Sequence, residues 1–173
     1  MTEISFHFNA PDKLAYACRL LRKAVNSGAQ VVVTAPPETL ASLDTMLWTL
    51  SPLDFIAHCF ADANAALVSA SPVLLGMPMA KPQGQGTAFA LESARADAQS
   101  ITSTNLAAKP PVLVNLGDTV PEGFERFERL VEVVGGSEED RACARDRWKH
   151  YAHWGYAITR HDLAAKSPAQ SAT

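Results

Sequence analysis

Hydrophobic positions change period several times along the chain, and each change marks an element. Ile4-Ser5-Phe6-His7-Phe8 reads as a short strand that stops at Asn9-Ala10-Pro11. From Asp12 the apolar positions Leu14, Ala17, Cys18, Leu21, Ala24 and Val25 recur at three and four, and Gly28 follows, which predicts a helix closed by glycine. Gln30 to Thr34, built on Val31, Val32 and Val33, is apolar on both faces, as a central parallel strand is. Pro36-Pro37 opens a second helix with the stripe Leu40, Leu43, Leu47 and Leu50, and Trp48 stands beside it. Val73-Leu74-Leu75 predicts a weak strand, and Pro111 to Leu116 a buried one. Pro121 begins a third predicted helix, with Phe124, Phe127, Leu130, Val131 and Val134 facing the core and Gly135-Gly136 closing it. Ser137-x-x-Asp140 is a capping-box-like start for a further helix that ends near Gly155, and Tyr156 to Thr159 predicts a last edge strand.

Residues 77–109 differ in kind. They are rich in Ala, Gln, Ser, Gly and Thr, with poor periodicity beyond a possible short helix from Phe89 to Ala98. Such a stretch buries too little apolar surface to offset its ordering entropy and is expected to be a loosely packed insertion. Residues 164–173 are small and polar, an expected disordered tail. The remaining alternation of strands and helices predicts one α/β domain over residues 1–163. Its expected architecture has three layers, with a mostly parallel sheet carrying helices on both faces.

Composition narrows the classes. The 173 residues are 47% hydrophobic and 19% charged, which describes a globular chain. A net charge of -3 argues against coating nucleic acid through bulk electrostatics, while leaving room for a local patch. Cys18, Cys59 and Cys143 are widely spaced and include no CxxC, so reduced thiols are expected, with Cys18 and Cys143 in the core. The N-terminal residues have no basic and apolar export pattern, and no run of about 18 apolar residues spans a membrane, so cytoplasm is the expected location.

Chemistry is sparse. The first strand-to-helix turn, Phe8-Asn9-Ala10-Pro11-Asp12-Lys13, contains no glycine, so its backbone cannot approach a pyrophosphate. Gly84-x-Gly86 lies in the insertion, and no GxxxxGK[ST] occurs, which leaves a small nucleotide-binding enzyme as the weaker alternative. His150-x-x-His153 with Asp146 could reach one metal, but a solvated helix face explains the same spacing. His161-Asp162 has no nucleophile elbow to serve. No catalytic residue, metal or cofactor is expected. The stretch RACARDRWKHYAHWGY, residues 141–156, is more informative. At about 100° per residue, Arg141, Arg145 and Trp148 share one arc at the edge of the buried stripe, with Asp146, His150 and His153 on the polar side. Two guanidinium groups beside an apolar notch suit an anionic ligand with a hydrophobic end. Helix-surface bridges from Glu138 to Arg141 or Arg145 are the plainer reading, and direct single-stranded DNA binding is a third.

The strings CRLLRKAVNSG, LDTMLWTLSPLDFIAHC, PVLVNLGDTVPEGFERFERLVEVVG and RDRWKHYAHWGY, in that order and spacing, resemble the chi subunit of bacterial DNA polymerase III holoenzyme from residue 4 to about residue 163. The resemblance implies a Rossmann-like fold without a nucleotide site and a non-catalytic adaptor role. It implies two partners: the psi subunit of the clamp-loader assembly, and the acidic C-terminal tail of single-stranded DNA-binding protein, with nucleic acid touched only indirectly. By position, the tail would meet Arg145 as main carboxylate partner and Arg141 as second cation. Val134 and Trp148 would shape the notch, and Gly155 would allow close approach. Trp148 and Arg141 stand where tyrosine and lysine are usual in the family. The psi surface would fall on Leu47, Trp48, Phe55 and His58, within the stretches Leu47-Trp48 and Pro52 to His58.

Overall fold

The computed structural model describes residues 1–49, 55–76 and 111–164. Strand β1 (Glu3–Ala10) is followed by helix α1 (Lys13–Asn26), which starts where the Asp12 carboxylate accepts from the Ala15 backbone N–H at 2.9 Å. Then come β2 (Val31–Thr34), α2 (Pro37–Thr49), β3 (His58–Phe60), the short α3 (Ala65–Ala70), β4 (Val73–Leu75) and β5 (Val112–Asn115). A 3₁₀ turn at Phe124–Arg126 leads into β6 (Arg129–Gly135), α4 (Glu138–His153) and β7 (Ile158–Asp162). The Ser137 hydroxyl caps α4 by accepting from the Asp140 N–H at 3.2 Å.

The strands form a seven-stranded sheet in the order β3-β4-β2-β5-β6-β1-β7, and every neighbouring pair is parallel. Alternation along the strands divides the core into two. Val31, Val33, Val114, Val131 and Val133 pack with Ala17, Cys18 and Leu21 of α1 and with Leu40, Leu43 and Leu47 of α2. Ile4, Phe6, Leu113, Leu130 and Val134 pack with Ala144 and Tyr151 of α4. Helices therefore cover both faces, and the expected three-layer α/β arrangement is the one observed. Cys18 is buried as expected, whereas Cys143 is half-buried. The insertion at 77–109, Leu50, Pro52, Leu53, Asp54 and most of the expected tail lie outside the described residues.

One predicted element is wrong in kind. The segment expected as a third helix with core positions Phe124, Phe127, Leu130, Val131 and Val134 is a 3₁₀ turn followed by the central strand β6. All residues from Leu130 to Gly135 are buried, because β6 lies between β5 and β1 and is covered on both faces. A strand buried on both sides shows no period of two. The chance spacing of its apolar residues with two upstream phenylalanines mimics a helical stripe.

Glu132 interrupts that apolar strand, and its carboxylate is fully buried. It accepts from the Arg147 Nε at 3.0 Å, from the Tyr151 hydroxyl at 2.7 Å and from Asn115 Nδ2 at 3.0 and 3.1 Å. Asn115 also donates to the Thr119 carbonyl at 3.0 Å, and its Oδ1 accepts from the Gly117 N–H at 2.9 Å. Burial is the largest influence on Glu132 and raises its pKa, opposed by the Arg147 charge and the three donors. Burial and then the Glu132 charge push the Tyr151 phenol well above its ordinary value, so it stays protonated and donates. Arg147 is only 2% exposed, and its Nη1 and Nη2 have no hydrogen-bond partner among the described residues.

Removing one member of this cluster strands a buried charge. Arg147→Met is expected to lower unfolding free energy by about 3–5 kcal/mol, and adding Glu132→Gln in the same chain to recover most of that loss. Denaturant titration of the single and double variants measures both effects; equal loss in both would show that charge pairing is not what the cluster supplies.

Candidate functional site

The outward edge of α4 meets the C-terminal ends of β1 and β7. Trp148 is half-buried, with its ring centroid 5.0 Å from that of Phe6 and 6.2 Å from that of Phe8. Phe6 and Phe8 themselves stack at 5.5 Å. Register pairs Phe6 with Arg160 and Phe8 with Asp162 on β7, which puts those four side chains on one face of the sheet. The Arg160 guanidinium stands over the Phe8 ring, 5.2 Å from its centroid. A ledge of aromatic rings thus has a cation at its β7 end and two more along α4.

Those two are held differently. Arg141 donates from Nη2 to the side-chain oxygen of Asn9 at 2.9 Å. Asn9 adopts φ 60, a conformation asparagine tolerates, and its own Nδ2 donates to Asp162 at 2.8 Å. Arg145 donates to Glu138 Oε1 at 2.6 Å, and Arg141 Nη1 lies 3.8 Å from Glu138 Oε2. The hydrogen bond and charge of Arg145, with a smaller contribution from Arg141, hold the Glu138 carboxyl below its ordinary pKa. The expected helix-surface bridges from Glu138 are therefore present together with the arginine and aromatic cluster. Chemically, the arrangement accepts a carboxylate or phosphate at the guanidinium groups and an apolar group against Trp148 and Phe8.

Arg141, Arg145 and Trp148 are brought together as expected. Val134 is not at the surface: it lies on β6, fully buried in the cluster against which Trp148 packs, and so backs the notch instead of lining it. Gly155 follows α4 with φ 76, and a Cβ there would meet nothing within 4 Å. Its role is to end the helix in a left-handed conformation. Phe8, Asn9, Arg160 and Glu138 complete the site. Their sequence signals are faint, since only the β1–β7 register brings Phe8 and Arg160 together. An open groove of about 850 Å³, lined in part by His7, Tyr16, Arg19 and Lys23, lies mainly across the sheet and borders this cluster at Arg160 and Asp162.

The second group of expected residues forms another surface. Trp48 and Phe55 are 60% and 67% exposed, and their rings are 5.3 Å apart. His58 lies 5.3 Å from Trp48, with its side chain almost wholly buried; it is bonded to the Ile56 carbonyl at 2.6 Å and to Asp44 at 3.2 Å. Leu47 is a core residue beneath them. Trp48 and Phe55 therefore present the apolar surface, and His58 and Leu47 hold it in place.

Other chemistry finds little support. Among the described residues no group of three or more His, Cys, Asp or Glu could hold a metal. Asp146 pairs with Lys149 at 3.1 Å, while His150 and His153 are exposed. His161 packs against His7 at 4.8 Å. Among the described residues no helix is long and apolar enough to cross a membrane.

The family described as DNA polymerase III chi subunit, HolC, matches residues 1–159. The chain is also similar to a Pseudomonas aeruginosa protein named DNA polymerase III subunit chi, at 28% identity over 168 residues, covering 94% of this chain and 98% of that one.

Because Gly155 meets open space, its requirement is conformational alone. Gly155→Ala is expected to cost about 1 kcal/mol in thermal or chemical unfolding while leaving the Trp148 ledge unobstructed. No measurable loss would mean that the helix end relaxes out of the left-handed conformation.

Proposed function

The chain belongs to the DNA polymerase III chi subunit family, an accessory subunit of the replication machinery, and from that premise we propose that it is a non-catalytic adaptor. On one surface it takes the acidic C-terminal tail of single-stranded DNA-binding protein; on another it takes the psi subunit. The observation that carries the first half is the aromatic ledge of Trp148 and Phe8 bordered by Arg141, Arg145 and Arg160. A peptide ending in an apolar side chain and a free carboxylate matches it group for group. The side chain packs on the rings, the terminal carboxylate meets Arg145, and preceding acids meet Arg141. The charges steer and orient the ligand, while the ledge discriminates between ends.

Direct single-stranded DNA binding fits less well. Glu138, Glu139 and Asp140 sit in the first turn of α4, so the basic patch is short and bounded by acids. A nucleic-acid strand asks for a continuous cationic track. For the psi surface, the support is the exposed pair Trp48 and Phe55, since exposed aromatics of this kind anchor protein interfaces. It lies apart from α4, on α2 and the segment entering β3, which leaves both surfaces usable at once.

A labelled peptide carrying an acidic stretch and an apolar C-terminal residue is expected to bind with a Kd of roughly micromolar order, weakening as salt rises. Arg145→Ala is expected to weaken it by about two- to fivefold, the range of an exposed ion pair. Equal affinity in wild type and variant would reject the pocket assignment. Tighter binding to a bare oligonucleotide than to the peptide would reject the adaptor reading in favour of a DNA-contacting one. Trp48→Ala is expected to abolish co-purification with a co-expressed psi subunit without changing peptide affinity.

A further inference from the structure

We infer that Glu138 is a built-in competitor for the arginine pair, holding the place of the ligand carboxylate and thereby setting which acidic chains are admitted. The inference rests on the tail-binding reading and adds a residue to it. Glu138 is 70% exposed at its side chain, yet its carboxylate lies across both arginines, 2.6 Å from Arg145 Nη2 and 3.8 Å from Arg141 Nη1. The Arg145 contact spans seven residues, two helical turns, so the glutamate and arginine reach toward each other along the helix surface.

The two arginines differ in what an incoming anion must displace. Arg141 is tethered through its other terminal nitrogen to Asn9, which Asp162 holds in turn, so its guanidinium stays oriented when Glu138 leaves. Among the described residues Arg145 has no hydrogen-bond or ion-pair partner besides Glu138. A ligand carboxylate at Arg145 therefore replaces the Glu138 carboxylate one for one. The released glutamate is not left in an unfavourable place. It is the first residue after the Ser137 cap, where the unpaired N–H groups and dipole of α4 favour negative charge.

This exchange has a consequence for specificity. Swapping one carboxylate for another at the same exposed guanidinium yields little net affinity. An acidic chain without an apolar end gains almost nothing from Arg145, and a neutral chain cannot displace Glu138 at all. Only a ligand that adds contact with the Trp148 and Phe8 rings has the surplus to hold the exchanged state. Glu138 thus turns a generally anion-attracting patch into one that requires both halves of the ligand.

The test is a peptide titration by fluorescence anisotropy on wild type, Glu138→Gln, Glu139→Gln, Arg145→Ala and the double variant Glu138→Gln/Arg145→Ala. The peptide is the acidic one with an apolar C-terminal residue. Glu139 is exposed one residue further on, so its substitution makes the same change in net charge without freeing Arg145. Glu138→Gln is expected to tighten binding about two- to fivefold, the range of an exposed ion pair, and Glu139→Gln by distinctly less. The gain is expected to vanish in the Arg145→Ala background. A gain no larger than that of Glu139→Gln, or one that persists without Arg145, would overturn the competitor role while leaving tail binding intact. Weaker binding by Glu138→Gln would overturn it as well, showing that the glutamate orients Arg145 for the ligand. Absence of binding by wild type and all variants would overturn the tail reading together with the competitor role.

Discussion

The buried Glu132 carboxylate governs how the rest of the molecule is arranged, because it joins three elements at one point. Asn115 comes from β5, Glu132 from β6, and Arg147 and Tyr151 from α4. A buried ion pair is poor evidence of net stabilisation, and here two guanidinium nitrogens find no partner among the described residues. What the cluster does supply is a unique orientation. With Arg147 pointing straight at the sheet, Trp148 must fall about 100° around the helix and Arg141 about 120°, while Arg145 and Glu138 fall near 160–180°. The boundary position of the tryptophan and the outward position of Arg145 and Glu138 thus follow from one inward arginine. Rolling α4 by a single residue would break all the Glu132 bonds that α4 makes.

The strand arrangement supplies the other half of the site. Parallel pairing of β1 with β7 brings Phe8 and Asp162 level at the C-terminal ends of adjacent strands, beside the start of α4. Gly135 closes the approach from β6: its N–H donates to Asp140 at 2.6 Å, and a Cβ there would stand 2.9 Å from the same oxygen. Asp140 also pairs with Lys13 at 3.0 Å, tying the first turn of α4 to that of α1. The N-terminal end of α4 is therefore fixed in place as well as in rotation. The proposed exchange at Arg145 and Glu138 therefore involves exposed side chains alone.

Much of this was legible in the chain. Periodicity located α1, α2, α4 and the strands β1, β2, β4 and β5, and helical geometry alone grouped Arg141, Arg145 and Trp148. The failures share a cause. The apolar pattern of β6 predicts a helix because a strand buried on both faces has no alternation to display. Val134, expected to shape a surface notch, only backs it from the core. Arg147, in a helix rich in charged residues, lies between Ala144 and Tyr151 on the buried stripe. Its signal was present: a charged residue at a core position of a helix, and Glu132 inside an apolar strand, each needs the other. The pairing depends on β6 being a strand, which turns Glu132 toward α4. Contacts such as Arg160 over Phe8 depend on register between distant segments, which no local pattern carries.

The contrast between Arg147 and the outward arginines bears on how an acidic chain would host the proposed anion site. Net charge of -3 sets the far field, but it decays within a Debye length, about 8 Å at physiological salt. Inside that distance the local arrangement decides. Arg147 is neutralised by Glu132 and contributes nothing outward, so the accessible positive charge comes from Arg141, Arg145 and Arg160. Each of these has an acid close by: Glu138 beside the first two, and Asp162 at 3.9 Å from Arg160. The patch is consequently near balance, and under the proposed exchange it would attract only a ligand able to displace its internal acid. That condition disfavours a polyanion bound by charge alone, and it favours a short chain that brings a carboxylate and a hydrophobic group to the same place.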